Sequence, residues 1–256
     1  STVNQICKDV REAVVKQFGG GNKRDGFAFR MSNVGRPSCQ LWFEKNKPQE
    51  ALPKPTTFVM NMMLGDIVEA VFKGILKEAG VKYEDPKRVT LDMGEDSPQR
   101  VITGEYDLVV DGAVDDVKSA SDWSYRNKFD SFDTLRNGDA FGYVSQLAGY
   151  ASASGKKAGG WWVVNKATGD IKYVPSQINV EQEVAKIKAN MKKASSDTFQ
   201  RCYEPVEETF KGKPTGNKIL PITCRFCSYR KSCHPSLQEL PQKMSKAKDP
   251  KIVAYV

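Results

Sequence analysis

The sequence predicts an α/β fold in which a central mixed β-sheet is flanked by helices, and three observations lead to it. Apolar residues recur at helical spacing in several segments. Asp111-Gly112 lies between two strand-like runs and predicts a tight hairpin, because both central residues of a type I′ turn need a positive φ. Two further apolar runs, one on each side of Thr168-Gly169-Asp170, predict another pair of strands. The predicted helices cover 3–18, 57–79, 140–150 and 181–200.

Composition limits the class of protein. A chain of 256 residues can bury a substantial core, and its net charge of +8 favours a polyanionic partner such as nucleic acid. No apolar run approaches the roughly 18 residues of a membrane span. The polar start of the chain has no secretory segment, so we expect a cytoplasmic protein without a membrane partner. In that compartment its 6 cysteines indicate metal or cluster ligation before disulfides.

The helical segments carry specific expectations about burial. Cys7 lies on the apolar stripe of the first predicted helix and is expected to be a buried structural thiol. The wide apolar face of the helix at 57–79 predicts that this helix is largely buried. Residues 82–100 are polar and predict a loop or a weak strand, and the isolated Cys202 is interpreted as structural.

The hairpin brings acidic residues together. Counting outward from the turn places Asp107 opposite Asp116, with Glu105 and Lys118 on the same side of the hairpin. Like charges that face each other on paired strands are destabilising, and a divalent cation between them removes that cost. Asp115 falls on the other face, which indicates a bulge or an edge position. A solvated surface with alternating charges would give the same pattern.

The acid pair and the lysine suit hydrolysis of a phosphodiester. Asp107 and Asp116 would supply hard oxygen ligands for Mg²⁺ or Mn²⁺, and a metal-bound water is a strong nucleophile. Lys118 would orient that nucleophile or offset the negative charge that develops in the transition state.

A second motif lies near the end of the chain. Cys224, Cys227 and Cys233 form a C-x2-C-x5-C pattern in a basic, weakly hydrophobic segment, which offers no packing reason for three thiols. Both a closed zinc site and an iron–sulfur cube need four ligands. His234 could supply the fourth only under strain, because it directly follows Cys233. Cys39 is remote in sequence but precedes a Leu-Trp-Phe run that would anchor it to a core.

The hairpin resembles a known nuclease motif. Gly104-x-x-Asp107 followed by Asp116-x-Lys118 is similar to the PD-(D/E)xK motif in the form used by RecB-type nucleases. This resemblance implies a restriction-endonuclease-like core and a catalytic role for these residues. It also makes the carbonyl of Val117 a candidate for a further metal ligand.

Two helical positions extend the resemblance. The family has a His or Glu metal ligand four residues after a glycine on the helix that precedes the hairpin, and Glu69 matches the Glu form. From spacing alone Glu69 would be a surface residue. Gln146-Leu-Ala-Gly-Tyr150 matches the family's Q-x-x-x-Y motif, whose Gln and Tyr line the DNA side of the site.

The spacing of the cysteines is also similar to that of RecB-type nucleases. The CRISPR adaptation nucleases and the AddB nuclease domain combine this hairpin with three C-terminal cysteines and one N-terminal cysteine on a [4Fe–4S] cluster. The resemblance therefore implies that Cys39 is the fourth ligand, although four thiolates also suit zinc. It implies a single nuclease domain over 1–256, with the catalytic core at about 57–200. The cluster-binding region would consist of 30–43 and 202–235.

A basic and aromatic segment follows the hairpin. Trp123 and Tyr125 alternate with Arg126 and Lys128, and this pattern predicts a platform that stacks bases and binds phosphates. A mobile surface loop would have the same composition.

Together these features predict a Mg²⁺- or Mn²⁺-dependent DNase, an exonuclease, with a structural [4Fe–4S] cluster. Its partner would be single-stranded DNA or duplex ends, together with a homo-oligomer partner or a recombination or adaptation protein. The alternative is a catalytically inactive DNA-binding or adaptor module with a structural iron–sulfur or zinc site. A zinc-ribbon binder is disfavoured because a second C-x-x-C pair is missing.

Overall fold

The computed structural model describes residues 2–19 and 26–256. Its helices are α1 (Val3–Phe18), α2 (Ser38–Asn46), α3 (Thr56–Glu78), α4 (Phe132–Asn137), α5 (Tyr143–Ser154), α6 (Val180–Ala194), α7 (Ile222–Arg225) and α8 (Arg230–Cys233), with a 3₁₀ turn at Pro48–Glu50 and a π-helical turn at Ser124–Lys128. Its strands are β1 (Tyr83–Glu84), β2 (Lys87–Asp92), β3 (Val101–Tyr106), β4 (Leu108–Val110), β5 (Ala113–Ala120), β6 (Lys157–Asn165), β7 (Ile171–Pro175), β8 (Val206–Phe210), β9 (Lys213–Ile219), β10 (Gln238–Pro241) and β11 (Ile252–Tyr255). None of the helices in the described ranges has the length and apolar character needed to cross a membrane.

The chain divides into two compact units, where the sequence predicts one domain. The first unit contains the described residues of the segment Ser1–Arg36, together with Lys54–Lys192. The second contains Pro37–Pro53 and Lys193–Val256. The segment predicted to bind the cluster is therefore split, because 30–36 belongs to the first unit and 37–43 to the second.

The first unit is built on a five-stranded mixed sheet with the order β1-β4-β5-β6-β7. The pair β5–β6 is parallel and the other pairs are antiparallel. The chain between β5 and β6 passes through α4 and α5, which is the crossover that a parallel pair requires. Strands β2 and β3 form a separate antiparallel ribbon. The prediction of a central mixed sheet flanked by helices is confirmed.

The hairpin between β4 and β5 has the predicted turn. Asp111 and Gly112 have φ values of 50° and 74°, as a type I′ turn requires. Val110 pairs with Ala113, and the pairing continues to Leu108 opposite Asp115. The bulge or edge position expected at Asp115 is not found in the hairpin, whose pairing is regular and whose β5 is a central strand; the register shifts instead in the neighbouring pair β5–β6, at Val114/Asp115.

The two faces of β5 meet different helices. Val117 is buried in a cluster with Phe72 and Leu76 of α3 and with Leu108. Side chains alternate along a strand, so Asp116 and Lys118 project from the other face, where α5 lies. This arrangement places the acid pair and α3 on opposite sides of the sheet.

The predictions that Cys7 on α1 is buried and that α3 is largely buried were both wrong. The helix α1 has no buried residue, and Cys7 is exposed. On α3 only Val59, Phe72 and Leu76 are buried. The apolar periodicity of these helices predicts their secondary structure but not the fraction of each helix that the rest of the chain covers. Six exposed apolar residues remain on α3: Met60, Met62, Leu64, Ile67, Val71 and Ile75.

The second unit contains an antiparallel sheet with the order β10-β11-β9-β8. A buried carboxylate, Glu208, connects its strands. It accepts hydrogen bonds from Thr215 Oγ1 (2.6 Å), Asn217 Nδ2 (2.9 Å) and Tyr255 OH (3.1 Å). Because its partners come from β9 and β11, this residue links strands that are distant in sequence.

Candidate active site and thiol cluster

Asp107 lies at the bend between β3 and β4, where the chain leaves the ribbon and enters the main sheet. Its Oδ2 accepts a hydrogen bond from the backbone N–H of Val117 at 2.8 Å. Burial, together with the neighbouring Asp116, raises the pKa of Asp107 to about 9. At neutral pH the metal-free acid pair therefore holds a proton.

Asp116 is 4% exposed and forms an ion pair with Lys118, whose Nζ lies 2.5 Å from Asp116 Oδ2. Despite this short distance, Oδ2 has no hydrogen-bond partner with good geometry among the described residues. A buried carboxylate oxygen without a directed donor is costly. A hard divalent cation would give this oxygen a partner and would offset the charge of the neighbouring Asp107.

Lys118 remains charged at this position. Burial alone would lower its pKa, but Asp116, Tyr143 and Asp107 outweigh burial and raise it above the ordinary value. The ammonium group also lies 4.7 Å from the centroid of the Tyr143 ring. The site therefore contains two carboxyl groups, one ammonium group and one aromatic face.

The carbonyl of Val117 points to the same edge of β5 as its amide, because both groups of one strand residue lie on one side of the strand. That amide donates to Asp107. The carbonyl is therefore directed toward the Asp107 side of β5, as a further oxygen ligand would require.

Glu69 does not join the acid pair in this structure. Its Oε1 pairs with Lys73 of the same helix at 2.6 Å. The helix α3 covers the Val117 face of β5, whereas Asp116 projects from the opposite face. Within the described ranges, no group of three or more Asp, Glu, His or Cys side chains is arranged to hold a metal ion. Two carboxylates suffice for Mg²⁺, which keeps several waters in its coordination shell.

Gln146 and Tyr150 lie together on α5, as the helical spacing predicts. Gln146 Nε2 donates to Tyr150 OH at 3.1 Å. Burial and the nearby Asp116 raise the pKa of Tyr150 to about 12, so this phenol is neutral. Tyr150 is only 4% exposed, which leaves the half-buried Gln146 as the more accessible member of the pair.

The predicted platform is only partly formed. Trp123 is 61% exposed and could stack on a base. Tyr125 is 9% exposed and Lys172 lies over its ring at 4.2 Å, so the prediction of a base-stacking role does not fit this residue. Arg126 pairs with Asp122 at 2.9 Å, and Lys128 packs among aromatic rings.

Sequence reasoning missed Tyr143 and Asp139. The carboxylate of Asp139 accepts the backbone N–H groups of Tyr143 and Val144, each at 2.9 Å, and so caps the start of α5. An Asp just before an apolar helical run is a recognised start signal, and it could have placed the first turn of this helix. No sequence signal places the Tyr143 ring next to Lys118.

In the second unit the four predicted cluster ligands line one small cavity of about 20 Å³. Cys39 reaches it from α2, which is anchored by the buried Leu41 and by Phe43, stacked on Tyr229 at 5.3 Å. The predicted role of the Leu-Trp-Phe run is thus confirmed for these two side chains. The remaining thiols come from the region of α7 and α8: Cys224, Cys227 and Cys233.

Cys202, which the sequence left isolated, contacts Cys39. Its Sγ accepts the backbone N–H of Cys39 at 3.1 Å and lies 3.4 Å from Ser38 Oγ. The hydrogen bond between the two thiols raises the pKa of Cys39 and lowers that of Cys202. Cys202 does not line the cavity.

The cavity is lined by an unusual set of neutral thiols and an imidazole. Burial raises the pKa of Cys224 to about 12 and that of Cys227 to about 11, so both thiols are neutral. His234 also lines the cavity; it is 2% exposed, and its Nε2 has no hydrogen-bond partner among the described residues. Converging thiols and an unpaired imidazole nitrogen form a donor set that fits a thiolate-bound metal group.

Comparison with known proteins adds a fold but no activity. No protein-family model matches the chain, and no curated protein matches it. A solved structure described as "Crystal structure of SSO0001" is similar, with a TM-score of 0.52 and 12% sequence identity. The match covers 91% of this chain and 98% of that one. At this identity the likeness concerns the fold alone.

Proposed function

We propose that this protein is a Mg²⁺- or Mn²⁺-dependent DNase, an exonuclease with a restriction-endonuclease-like core. The observation that carries the proposal is the buried pair of Asp107 and Asp116 beside the charged Lys118. Two carboxyl groups that share a buried site repel each other when ionised, and the buried Asp116 Oδ2 lacks a directed donor. A divalent cation would relieve both costs.

The residues of the site would divide the work of phosphodiester hydrolysis. Asp107 and Asp116 would hold the metal ion, with the Val117 carbonyl as a further oxygen ligand. The bound ion would supply Lewis-acid activation of a phosphate oxygen and of a water molecule. Lys118 would orient the attacking water and offset negative charge in the transition state. Glu69 would become a metal ligand only if it gave up its ion pair with Lys73 and moved from α3 toward Asp107 and Asp116.

Substrate binding would use the side of the sheet that α5 covers. Gln146 would contact DNA, and Tyr150 would fix the Gln146 amide through their hydrogen bond. Trp123 is the exposed aromatic residue of the segment after β5 and would stack on a base. Lys128 and Arg126 would add positive charge, in keeping with the net charge of +8.

The second unit would hold a structural [4Fe–4S] cluster on Cys39, Cys224, Cys227 and Cys233. The support is that these thiols, from both ends of the chain, line the same cavity. Such a cluster would join α2 to the segments around α7 and α8, and its binding energy would contribute to folding. A structural zinc ion would use the same thiolates, so metal content decides between them.

The experiment is a cleavage assay with purified protein on end-labelled linear DNA and on covalently closed circular DNA, with Mn²⁺, with Mg²⁺ and with a chelator. We expect linear DNA to shorten from its ends only when a metal ion is present, and circular DNA to persist. Cleavage of circles would change the proposal to an endonuclease. Cleavage in the presence of the chelator would contradict the metal site.

The second candidate is a catalytically inactive DNA-binding or adaptor module. It is favoured by one observation, the engagement of Glu69 with Lys73 instead of the acid pair. Under this alternative no condition yields cleavage, yet DNA binding still weakens steeply as salt rises, because Lys and Arg contacts to phosphates release counterions. Binding that is insensitive to salt would contradict both candidates.

A further inference from the structure

The Tyr143 ring lies where a second anchor for Lys118 is needed. Lys118 Nζ has two close partners, Asp116 Oδ2 at 2.5 Å and the Tyr143 ring centroid at 4.7 Å. Both partners attract a cation, the first by its charge and the second by the negative face of its ring. A bound metal ion would engage the Asp116 carboxylate but would leave the Tyr143 ring face available to Lys118.

A metal ion on Asp116 would compete directly with Lys118. The same Oδ2 that faces Lys118 would be drawn into the coordination shell, and a lysine side chain has four flexible carbons over which to relax. The aromatic face of Tyr143 carries no oxygen that the metal would take in this contact. The ring is therefore the partner that can still hold the ammonium group after the carboxylate is committed.

The backbone at Tyr143 is fixed from two directions. The carboxylate of Asp139 accepts the N–H groups of Tyr143 and of the next residue, each at 2.9 Å. Gly142 adopts a φ of 77° and packs so closely on Gly35 that a Cβ atom there would lie 2.5 Å from the Gly35 backbone. The ring itself stacks on Phe141 (5.7 Å) and is thereby held in orientation.

We propose that Tyr143 is a positioning residue for Lys118: its ring face holds the ammonium group beside the acid pair while Asp116 binds the metal ion. This inference rests on the proposed nuclease function and assigns a role within that site. Because Lys118 contacts the face of the ring, the hydroxyl group of Tyr143 is not required for this positioning role. Lys128, which lies 4.5 Å from the same centroid, shares the aromatic surface.

The first test measures the contact without catalysis. In protein labelled with ¹³C at the lysine ε-carbon, an ε-methylene near a ring face is shifted upfield, and Lys118→Arg identifies the resonance of Lys118. We expect the shift in wild type and Tyr143→Phe, both without metal and with saturating Mg²⁺, and its loss in Tyr143→Leu. A wild-type resonance that returns to the position of a free lysine when Mg²⁺ is added would overturn the proposal.

The second test measures the consequence for the reaction. Tyr143→Leu should lower kcat for Mn²⁺-dependent cleavage roughly tenfold to a hundredfold and leave KM for DNA nearly unchanged, because misplacing a reacting group costs rate rather than binding. Tyr143→Phe should retain the wild-type kcat. Phe58→Leu is the matched control, since it removes a ring at the start of α3 that lies beneath a different lysine, Lys54, and it should keep the wild-type kcat.

A series of aromatic residues of similar shape at position 143 separates the effect of the ring's charge distribution from an effect of misfolding. Phenylalanine, 4-fluorophenylalanine and 3,4,5-trifluorophenylalanine at position 143 have progressively weaker negative ring faces, so kcat should fall stepwise along the series. Equal kcat values across the series, or a wild-type kcat in Tyr143→Leu, would overturn the role of Tyr143 alone. A wild-type protein that does not cleave DNA would instead overturn the proposed function itself.

Discussion

The acid pair of the first unit and the thiols of the second unit are assembled in opposite ways. Asp107 and Asp116 lie on either side of one tight hairpin, and the hydrogen bond from Val117 to Asp107 joins them within the sheet. The thiols come from α2, from α7 and the turn that follows it, and from α8, so residues far apart in sequence must meet. We expect the first arrangement to form without the proposed metal ion. We expect the second to depend far more on the group that the thiols are proposed to bind.

The largest expected effect follows from the thiol side of this comparison. Cys39→Ser, Cys224→Ser, Cys227→Ser and Cys233→Ser should each reduce iron from about four atoms per chain to near zero. Each change should also destabilise the second unit, because the cluster would link its separate segments. Iron and acid-labile sulfide, measured on anaerobically purified protein, check this prediction.

Two other thiols serve as controls. Cys7→Ser should have no effect, since that side chain is exposed on α1. Cys202→Ser removes the acceptor of the Cys39 N–H but not a residue that lines the cavity, so the cluster should remain. A colourless protein with one zinc ion per chain would show that the thiols bind zinc instead of an iron–sulfur cluster. Loss of iron in Cys202→Ser would show that Cys202 is a cluster ligand.

On the acid side, Lys118→Ala should separate catalysis from metal binding. We expect cleavage to slow by roughly 10²–10⁴-fold, the usual contribution of a positioned proton-transfer or charge-stabilising group. Mn²⁺ binding, measured by calorimetry, should persist because the amine is not a ligand. Lys157→Ala, at the exposed start of β6, is the matched control and should cleave at the wild-type rate. Lost Mn²⁺ binding in Lys118→Ala would show that the lysine maintains the site instead.

Packing between β3 and α5 offers a smaller test of whether the acid site is preformed. A Cβ atom on Gly104 would lie 2.6 Å from Met31 and 2.8 Å from Tyr150, so Gly104→Ala should lower the free energy of unfolding by about 1–3 kcal/mol. Gly74, in the interior of α3, has no heavy atom within 4 Å of such a Cβ, and Gly74→Ala should stabilise by up to about 1 kcal/mol. Chemical denaturation measures both. Equal effects of the two changes would contradict the tight packing around Gly104.

The stability of the protein should also depend on pH. The pKa of Asp107 is raised to about 9, chiefly by burial, whereas that of an unfolded aspartate is roughly 4. Between these values the folded state binds the extra proton, so the stability of the metal-free protein should fall as pH rises from about 4 to 9. The melting temperature of Asp107→Asn should fall less over this range than that of wild type. Asp111→Asn, an exposed change at the turn, is the control and should show the wild-type dependence of melting temperature on pH. The same dependence on pH in all three proteins would contradict the raised pKa of Asp107.

Local features of the molecule were predictable from sequence because short-range rules fix them. The Asp111-Gly112 turn sets the register of the hairpin, and the register brings Asp107 to Asp116. Helical periodicity predicted the bounds of α1, α3 and α5 to within about four residues, whereas α6 ends at Ala194, six residues before its predicted end. The spacing of Gln146 and Tyr150 likewise gave their contact.

Features that depend on tertiary packing were not predictable in this way. Which face of β5 is covered by α3 decides the position of Glu69, and no local pattern encodes that choice. Tyr125 is buried by Lys172, which comes from β7, 47 residues later. The contact of Cys39 with Cys202 spans 163 residues. In each case the deciding partner lies on an element that pairs or packs only in the folded chain.

Asp116→Asn is the sharpest test of the proposal that the acid pair binds the metal ion needed for DNA cleavage. The change removes a ligand charge and leaves the shape of the side chain. The measurement is the rate of Mn²⁺-dependent cleavage of end-labelled linear DNA by wild type, by Asp116→Asn and by the control Asp111→Asn. We predict cleavage by wild type and control, and a rate reduced by roughly a thousandfold or more in Asp116→Asn, which still binds DNA. An Asp116→Asn protein that cleaves as fast as wild type would show that the acid pair is not the metal site.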